Sequence, residues 1–543
     1  MNSIKKKLFI IPLALLLSGC TITKPSTSTD TKENPTTSDS ATSTTLPDTS
    51  NTSKNSSSSN TTSQDISSGD DVLMADNLYD EFFAETSKVD LTLKFKDLQT
   101  IKDVSEYGKD ANSKYADIYF PADLEVNMNG KEFIYHDVGV RTKGNVFSRF
   151  ELFENGKYKD GSRIHFKLKF DEFFDNKDFY KGNLSRYLKD WTGKEAEVKL
   201  RDGRAMCGFK KLDLKFNKDN DPTFLRNAYA NMLLREYGVM ASNVNLTKLT
   251  VKYGESTLFS DIYQAVEVIN KQFLKRRLTK NGAKGDLYKL GWVGNSGADL
   301  CANGAIKKDN SGNYIADYKI GVEDKQTDKY YIYDLKTNET SSDHSSLVNL
   351  IRVLDETSSV STYQEDLESV LDLEAFGVQQ ALSYVIGSPD DLRNNYNNTY
   401  LYFNPDNGKA YFLPVDFDHS LGSKDFQGTN WPTSTKLQGY QSNRGYLYQP
   451  LYWKTILVTD NQNEGNAYAS KWPSSEISKK AYKDTLLSIK DSKYLTKEYF
   501  LEYVNKFPYN IGTNTVGAEF FDIEQYFNNI KTQISSDTRL ASY

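Results

Sequence analysis

The residues best suited to chemistry fall in two acidic, amide-rich stretches. The first is Gly387-Ser-Pro-Asp390-Asp391-Leu-Arg-Asn394-Asn395-Tyr-Asn397-Asn398, running into Thr399-Tyr-Leu-Tyr402. The second is Tyr411-Phe-Leu-Pro414-Val-Asp416-Phe-Asp418-His-Ser-Leu-Gly422. Between them, Pro405-Asp-Asn-Gly408 is a hairpin-turn signal flanked by two strand-like runs, Thr399 to Phe403 and Ala410 to Leu413. In an antiparallel pair the start of the first strand lies beside the end of the second. The hairpin therefore predicts that Asp390 and the Asn cluster come close to Asp416 and Asp418. Two or three carboxylates and an amide on loops form a hard-oxygen site suited to Mg²⁺ or Mn²⁺. Like charges held that close repel, and a cation is the natural way to keep them together. Any single Asp or Asn here has the alternative of capping a turn; it is the whole set, with its spacing, that points to a metal.

The elements that must position this hairpin can be read from periodicity. Strand-like alternation marks Leu91, Leu93 and Phe95, then Ile164, Phe166, Leu168 and Phe170, then Lys211 to Phe216. A helix is predicted to open at Asp221-Pro222, with Asp221 as its cap and Pro222 in the first turn. Leu225, Ala228, Tyr229, Met232 and Leu233 fall at helical spacing, and Gly238 ends the run. Two strands follow, around Leu246 to Val251 and Ile262 to Ile269. Residues Gly282 to Ser342 are polar and Gly-rich and read as an insertion with strands of its own. Helical periodicity returns over Ser346 to Leu354 and Leu373 to Ile386, and beyond Gly439 the chain reads as mainly helical.

These segments together resemble the CotH family, the spore-coat protein H kinase-like proteins. In order along residues 90 to 425 the resemblance is carried by Gly139-Val-Arg-Thr-Lys143-Gly-Asn145, His165-Phe-Lys167-Leu-Lys169-Phe-Asp171 and Lys211-Leu-Asp-Leu-Lys-Phe-Asn217. It continues through Asp221-Pro-Thr-Phe-Leu-Arg226, Glu236-Tyr-Gly-Val239, Val266-Glu-Val-Ile-Asn270 and Phe273-Leu-Lys-Arg-Arg277, and closes on the Asp390 and Asp416 segments. The resemblance implies an α+β, atypical protein-kinase-like fold of two lobes, strand-rich first and mainly helical second. It also implies ATP with Mg²⁺ or Mn²⁺ as cofactors and transfer of the γ-phosphoryl group to protein hydroxyls. Asp390 matches the position of the catalytic Asp, which orients the acceptor hydroxyl and takes its proton. Asp416 matches the metal-binding Asp, with Asp418 close behind. An Asn of the 394–398 cluster completes the metal site, Asn395 and Asn398 being equal choices.

Phosphoryl transfer also needs cations against the phosphates. The strand from Ile164 to Phe170 puts its apolar residues on one face and leaves Lys167 and Lys169 on the other. Either one is a phosphate-pairing candidate, and both are equally explained as solvated strand lysines. Arg141 and Lys143, in a Gly-containing turn, are the other candidates. Glu267-Val-Ile269 follows the strands where a kinase hinge would hold adenine through its backbone, and Glu236 on the helix is a candidate partner for the lysine.

The ends of the chain set the context. Lys5, Lys6 and Lys7 precede an apolar run, Leu8 to Leu17, of about ten residues, which fits a signal-peptide core and falls short of a ~20-residue membrane span. It leads into Leu17-Ser-Gly-Cys20, which resembles the lipobox of bacterial lipoproteins; the resemblance implies cleavage before Cys20 and a lipid on its thiol. The expected location is therefore the bacterial cell membrane, lipid-anchored and extracytoplasmic. Residues 21–70, dominated by Ser, Thr, Asn and Asp, cannot bury enough surface to offset their ordering entropy and are predicted to form a disordered tether.

The divisions predicted from these signals are a signal peptide at 1–20, the linker at 21–70, a strand-rich lobe at 71–270, a hinge-following region with the insertion at 271–345 and a helical lobe at 346–543. With 36 Tyr and 29 Phe, a large core is available. A net charge of −6 gives no footprint for nucleic acid. With four His and no Cys-x-x-Cys, a zinc site is not expected. Cys207 and Cys301 allow either a disulfide or two buried thiols.

The expected partners are ATP, a protein acceptor on the cell surface or exported, and the membrane. An outward-facing protein meets little ATP, so a non-enzymatic surface adhesin or scaffold on the same fold is the alternative. A different Mg²⁺-dependent transferase or hydrolase is a third reading.

Overall fold

A computed structural model of the chain describes residues 64–65, 75–111, 113–144, 149–294, 296–355, 360–388, 390–392, 396–422, 475–512, 522–536 and 540. The expected signal peptide, Cys20, most of the expected tether and Asn395 lie outside the described residues.

The strand-rich half contains β1 (Gln64–Asp65), α1 (Ala75–Phe83), β2 (Val89–Phe95), α2 (Leu98–Gly108), β3 (Phe120–Met128), β4 (Lys131–Thr142), β5 (Phe153–Glu154), β6 (Lys157–Tyr158), β7 (Phe166–Lys169), α3 (Glu195–Arg201), β8 (Lys211–Lys215), α4 (Arg226–Glu236), β9 (Val244–Tyr253) and β10 (Ser256–Glu267). After α5 (Lys271–Arg277) come β11 (Leu287–Leu290), β12 (Ile306–Lys308), β13 (Tyr314–Ala316), β14 (Ile320–Gly321) and β15 (Tyr333–Leu335). Then follow α6 (Ser345–Asp355), α7 (Val360–Val370), α8 (Leu373–Ile386), the hairpin β16 (Thr399–Asn404) and β17 (Lys409–Pro414), and finally α9 (Glu476–Lys490), α10 (Lys497–Lys506) and α11 (Ile523–Ser536). The architecture is α+β.

Strands β4-β3-β2-β9-β10-β8-β7 run in that order, and β7 pairs back onto β4, so the seven close into a barrel. All neighbours are antiparallel except β2 and β9, which run parallel with Val89 opposite Thr247. Alternation dictates the barrel's filling: Leu91, Leu93, Leu124, Val126, Val140, Phe166, Leu168, Leu212, Leu214 and Val251 are all buried in one cluster. β1, which falls in the stretch read from sequence as tether, pairs parallel to β4 at Phe133 and Ile134.

A second core gathers α4, α6, α8, α9 and α11 around a five-stranded sheet in the order β14-β15-β11-β16-β17. Residues 282–342, read from sequence as an insertion with strands of its own, do carry strands, but most of them are shared. Among the described residues of this segment β12 and β13 pair with each other alone, while β11, β14 and β15 complete the sheet that carries the hairpin. Runs of two to four strand residues are too short to show their alternation. Gly285 lets β11 approach β16, since a Cβ there would lie 1.7 Å from the Phe403 carbonyl oxygen.

The helix predicted to open at Asp221 begins five residues later, at Arg226. The Asp221 carboxylate accepts hydrogen bonds from the Thr223 and Arg226 main-chain N–H groups, at 3.1 and 3.0 Å, so it folds residues 222–225 into a turn ahead of the helix. The helices predicted over 346–354 and 373–386 are α6 and α8, and α8 ends on Gly387 at φ +64. Cys207 and Cys301 are free thiols.

Candidate active site

The outward, polar face of β4, β7 and β8 meets the loop that follows the hairpin through Lys215 and Lys218. Because β4, β7 and β8 are neighbours in register, Arg141 lies opposite Lys167 and Lys167 opposite Asp213. Asp213, only 8 % exposed, takes Lys143 on one carboxylate oxygen at 2.6 Å and Lys167 on the other at 3.1 Å. Despite burial, which alone would raise it, the charges of Lys143 and Lys167 hold the Asp213 carboxyl well below the usual carboxylate range. Desolvation lowers the Lys167 ammonium to about 7 against the pull of Asp213.

Two residues along β8, the buried Lys215 bonds Asp416. Its burial would lower its pKa, but Asp416 and Asp418 hold it above the lysine range. This ion pair joins barrel to hairpin. Just beyond, Lys218 lies 2.8 Å from Asp219 and 3.2 Å from Asp418. His165 accepts a hydrogen bond from the Phe216 N–H on Nδ1 at 3.1 Å; burial, with Lys215 and Lys143 nearby, keeps its imidazole neutral by pushing the pKa well down.

The hairpin does what antiparallel geometry predicts. Thr399 pairs with Pro414, and the Val415 N–H donates to the Asn398 carbonyl at 2.8 Å. The Asn398 amide in turn donates to the Asp390 carbonyl at 2.8 Å and to its carboxylate at 2.9 Å. A short chain of bonds thus ties Asp390 to the residue next to Asp416. Tyr396, Asn398 and Asp416 all adopt left-handed backbone, with φ of +52, +50 and +66. Non-glycine residues held there cost free energy, and such strain concentrates at sites of function.

Asp219, Asp418 and His419 each offer a ligand atom within 4.8 Å of the others. Burial and the Asp418 charge push the Asp219 carboxyl up, while Lys215 and Lys218 hold Asp418 down against its own burial. Two crowded carboxylates, at present bridged by Lys218, and an imidazole offer a mixed oxygen and nitrogen ligand set to a divalent cation such as Mn²⁺. Of the expected metal residues, Asp418 belongs to this group, Asp416 is held by Lys215, and Asn398 is engaged with Asp390.

The other residues named from the sequence are placed as follows. Glu236 does not meet a lysine of the site: it is exposed and accepts the Tyr494 hydroxyl at 2.6 Å, because the last turn of α4 points toward the helical half. The Glu267 carboxylate pairs with Arg277 at 2.6 Å and accepts the Asn243 N–H at 3.1 Å, which fixes the end of β10. Arg141 bonds Asp117 and the Ala116 carbonyl, and its guanidinium is lowered to about 10 by burial and by Arg149. Lys169 turns to Glu172 at 2.9 Å, leaving Lys167 as the strand lysine beside Lys143. Asp213, Lys215, Lys218, Asp219 and His419 were missed from sequence. The run Asn217-Lys-Asp-Asn-Asp221 was the available signal, an acidic loop at the end of a strand like the one at Asp416.

Residues 179–457, just over half the chain, match the family model described as CotH kinase protein. The match takes in Asp213, Lys215, Asp219, Asp390, Asn398, Asp416 and Asp418. No curated protein matches the chain.

Proposed function

Because the chain belongs to the CotH kinase family, we propose that it transfers the γ-phosphoryl group of ATP to hydroxyls of a protein acceptor. The observation that carries this reading is that Lys215 and Lys218 join two groups: a cationic barrel face, Lys143 and Lys167 about Asp213, and a strained carboxylate loop, Asp390 with Asp416 and Asp418. Barrel and helical half form the two lobes of a kinase-like fold on this reading.

Asp390 acts on the acceptor hydroxyl as general base, and Asn398 fixes the orientation of its carboxylate. Lys143 and Lys167 stabilise charge on the phosphate oxygens. Asp219, Asp418 and His419 would hold a divalent cation, whose chemistry when bound is to neutralise charge on those oxygens.

Residues 60–543 with Mn²⁺ and labelled ATP are expected to incorporate label into themselves or an added protein. ATP at 100 times its Kd should add about 2.7 kcal/mol of stability, read as a rise in melting temperature. Absence of both incorporation and stabilisation would remove the enzymatic reading and leave the adhesin or scaffold.

Attachment to the outer face of the membrane through a lipid on Cys20 is part of the same proposal. Cys20→Ser is expected to move the protein from the membrane fraction to the soluble one; retention in the membrane would refute the anchor.

A further inference from the structure

The cations of the site differ in what already holds them. Lys143 and Lys167 share Asp213, Lys215 is on Asp416 and Lys218 on Asp418. Arg141 and Lys325 share Asp117, and Lys336 is on Asp334. An anion reaching any of these must compete with a carboxylate or share its cation.

We infer that Lys289, on β11 of the hairpin sheet, is a substrate-contacting residue that binds the phosphate chain of the nucleotide. This rests on the nucleotide-binding reading above and adds to it a residue from the hairpin sheet.

Register places Lys289 well for the role. On β11 it stands opposite Tyr400 on one side and Asp334 on the other. The Asp334 carboxylate is taken up by Lys336 and by the Glu323 N–H at 3.0 Å. Lys289 itself makes no ion pair among the described residues, and its side chain is open to water. Tyr400 is two residues beyond Asn398, which holds Asp390, and pairs with Leu413, three residues before Asp416. Counting about 3.3 Å per residue along a strand and about 4.8 Å between strands, Lys289 is about 8 Å from Asn398 and about 14 Å from Asp416, a distance that a nucleotide's phosphate chain with its bound cation can bridge.

The same face of the sheet is apolar one step further on, where Leu287 and Tyr402 lie against Ile269 and Phe273. Those side chains are buried, so Lys289 stands on this face between a packed apolar core and the acidic loop. Lys336 and Lys143 repel the Lys289 ammonium while Asp334 and Glu323 attract it, and its pKa falls below the lysine range. A solvent-facing ammonium with no ion pair of its own is available to an arriving anion, and a charge-assisted contact is among the stronger hydrogen bonds. Lys211 is also without an ion pair among the described residues, but it lies opposite Lys169, at the other end of β8 from Lys215 and Asp416.

The test is calorimetric titration of the full chain, and of Lys289→Met, Lys289→Gln and Lys289→Arg, with ATP, ADP and adenosine in the presence of Mn²⁺. Loss of one charge-assisted contact is expected to weaken ATP binding about tenfold or more in the Met and Gln variants. Adenosine should bind them as it binds the parent, and Lys289→Arg should recover part of the ATP affinity. Unchanged ATP affinity in both neutral variants would overturn the inference while leaving the nucleotide reading intact. Equal losses for ATP and adenosine would make Lys289 a structural residue and overturn it as well. Failure of the parent chain to bind any of the three would remove the nucleotide reading and this inference together.

Discussion

Asp390→Asn is expected to slow phosphoryl transfer by about 10²- to 10⁴-fold, the range of a lost general base, with ATP affinity nearly unchanged. The substitution keeps the size of the side chain and its place beside Asn398. It removes the oxygen that takes the proton and brings an amide face to face with the Asn398 amide, which donates to that carboxylate at 2.9 Å. Asn398 is anchored through its carbonyl to the Val415 N–H, so the loop itself should stay in place. Single-turnover rates with labelled ATP measure the effect, and nucleotide titration of the same variant supplies the control. A variant that transfers at the parent rate would strip Asp390 of its role. One that loses ATP binding in proportion would make the residue part of the nucleotide site.

The largest stability change is expected from Asp213→Ala. Asp213 is the shared counter-ion of Lys143 and Lys167, and the three side chains are 12 %, 18 % and 17 % exposed. Removing it strips both lysines of their counter-ion: Lys167, already lowered to about 7 by burial, sheds its proton more readily, and Lys143 is left recessed without its carboxylate. Breaking a buried pair from one side costs about 3–5 kcal/mol. Urea unfolding at pH 7 measures it, and Asp213→Leu combined with Lys167→Met should regain much of the loss. A destabilisation under 1 kcal/mol would mean that water already screens both lysines.

The pH dependence follows from the same group. The folded-state pKa of Asp213 is held below its ordinary value, so its contribution is fully present above the unfolded carboxylate pKa of about 3.9. It is lost as pH falls through the lower, folded value. The parent and Asp213→Ala should therefore converge in stability only in strong acid.

The hairpin and its consequence were legible because both signals are local. Pro405-Asp-Asn-Gly408 announces the turn, the alternation on either side announces the strands, and antiparallel geometry alone brings Asn398 beside Val415. The helix over 373–386 was equally plain, from its periodicity and the Gly387 that stops it. What was hidden depends on partners distant in sequence. Nothing in the run from Lys211 to Lys215 says that Lys215 will reach Asp416, because that contact exists only once barrel and hairpin sheet face each other. Asp221 was read as a cap from its type, yet the turn it stabilises displaces the helix start to Arg226. Lys289 was passed over because four strand residues, Leu287 to Leu290, show too little alternation to reveal which way a lysine points.

The parallel joint between β2 and β9 imposes an order of assembly. Every other seam of the ring is antiparallel, but this one waits for residues far down the chain, Val89 meeting Thr247 only after β3, β4, β7, β8 and α4 have been laid down between them. The entropy of closing so long a loop must be met before that seam returns any stabilisation. Since β10 bridges β9 to β8, no stretch of chain that stops short of Glu267 contains a closed ring. A nascent or clipped chain that ends before β9 would present β2 with one unpaired edge, a ready template for another strand.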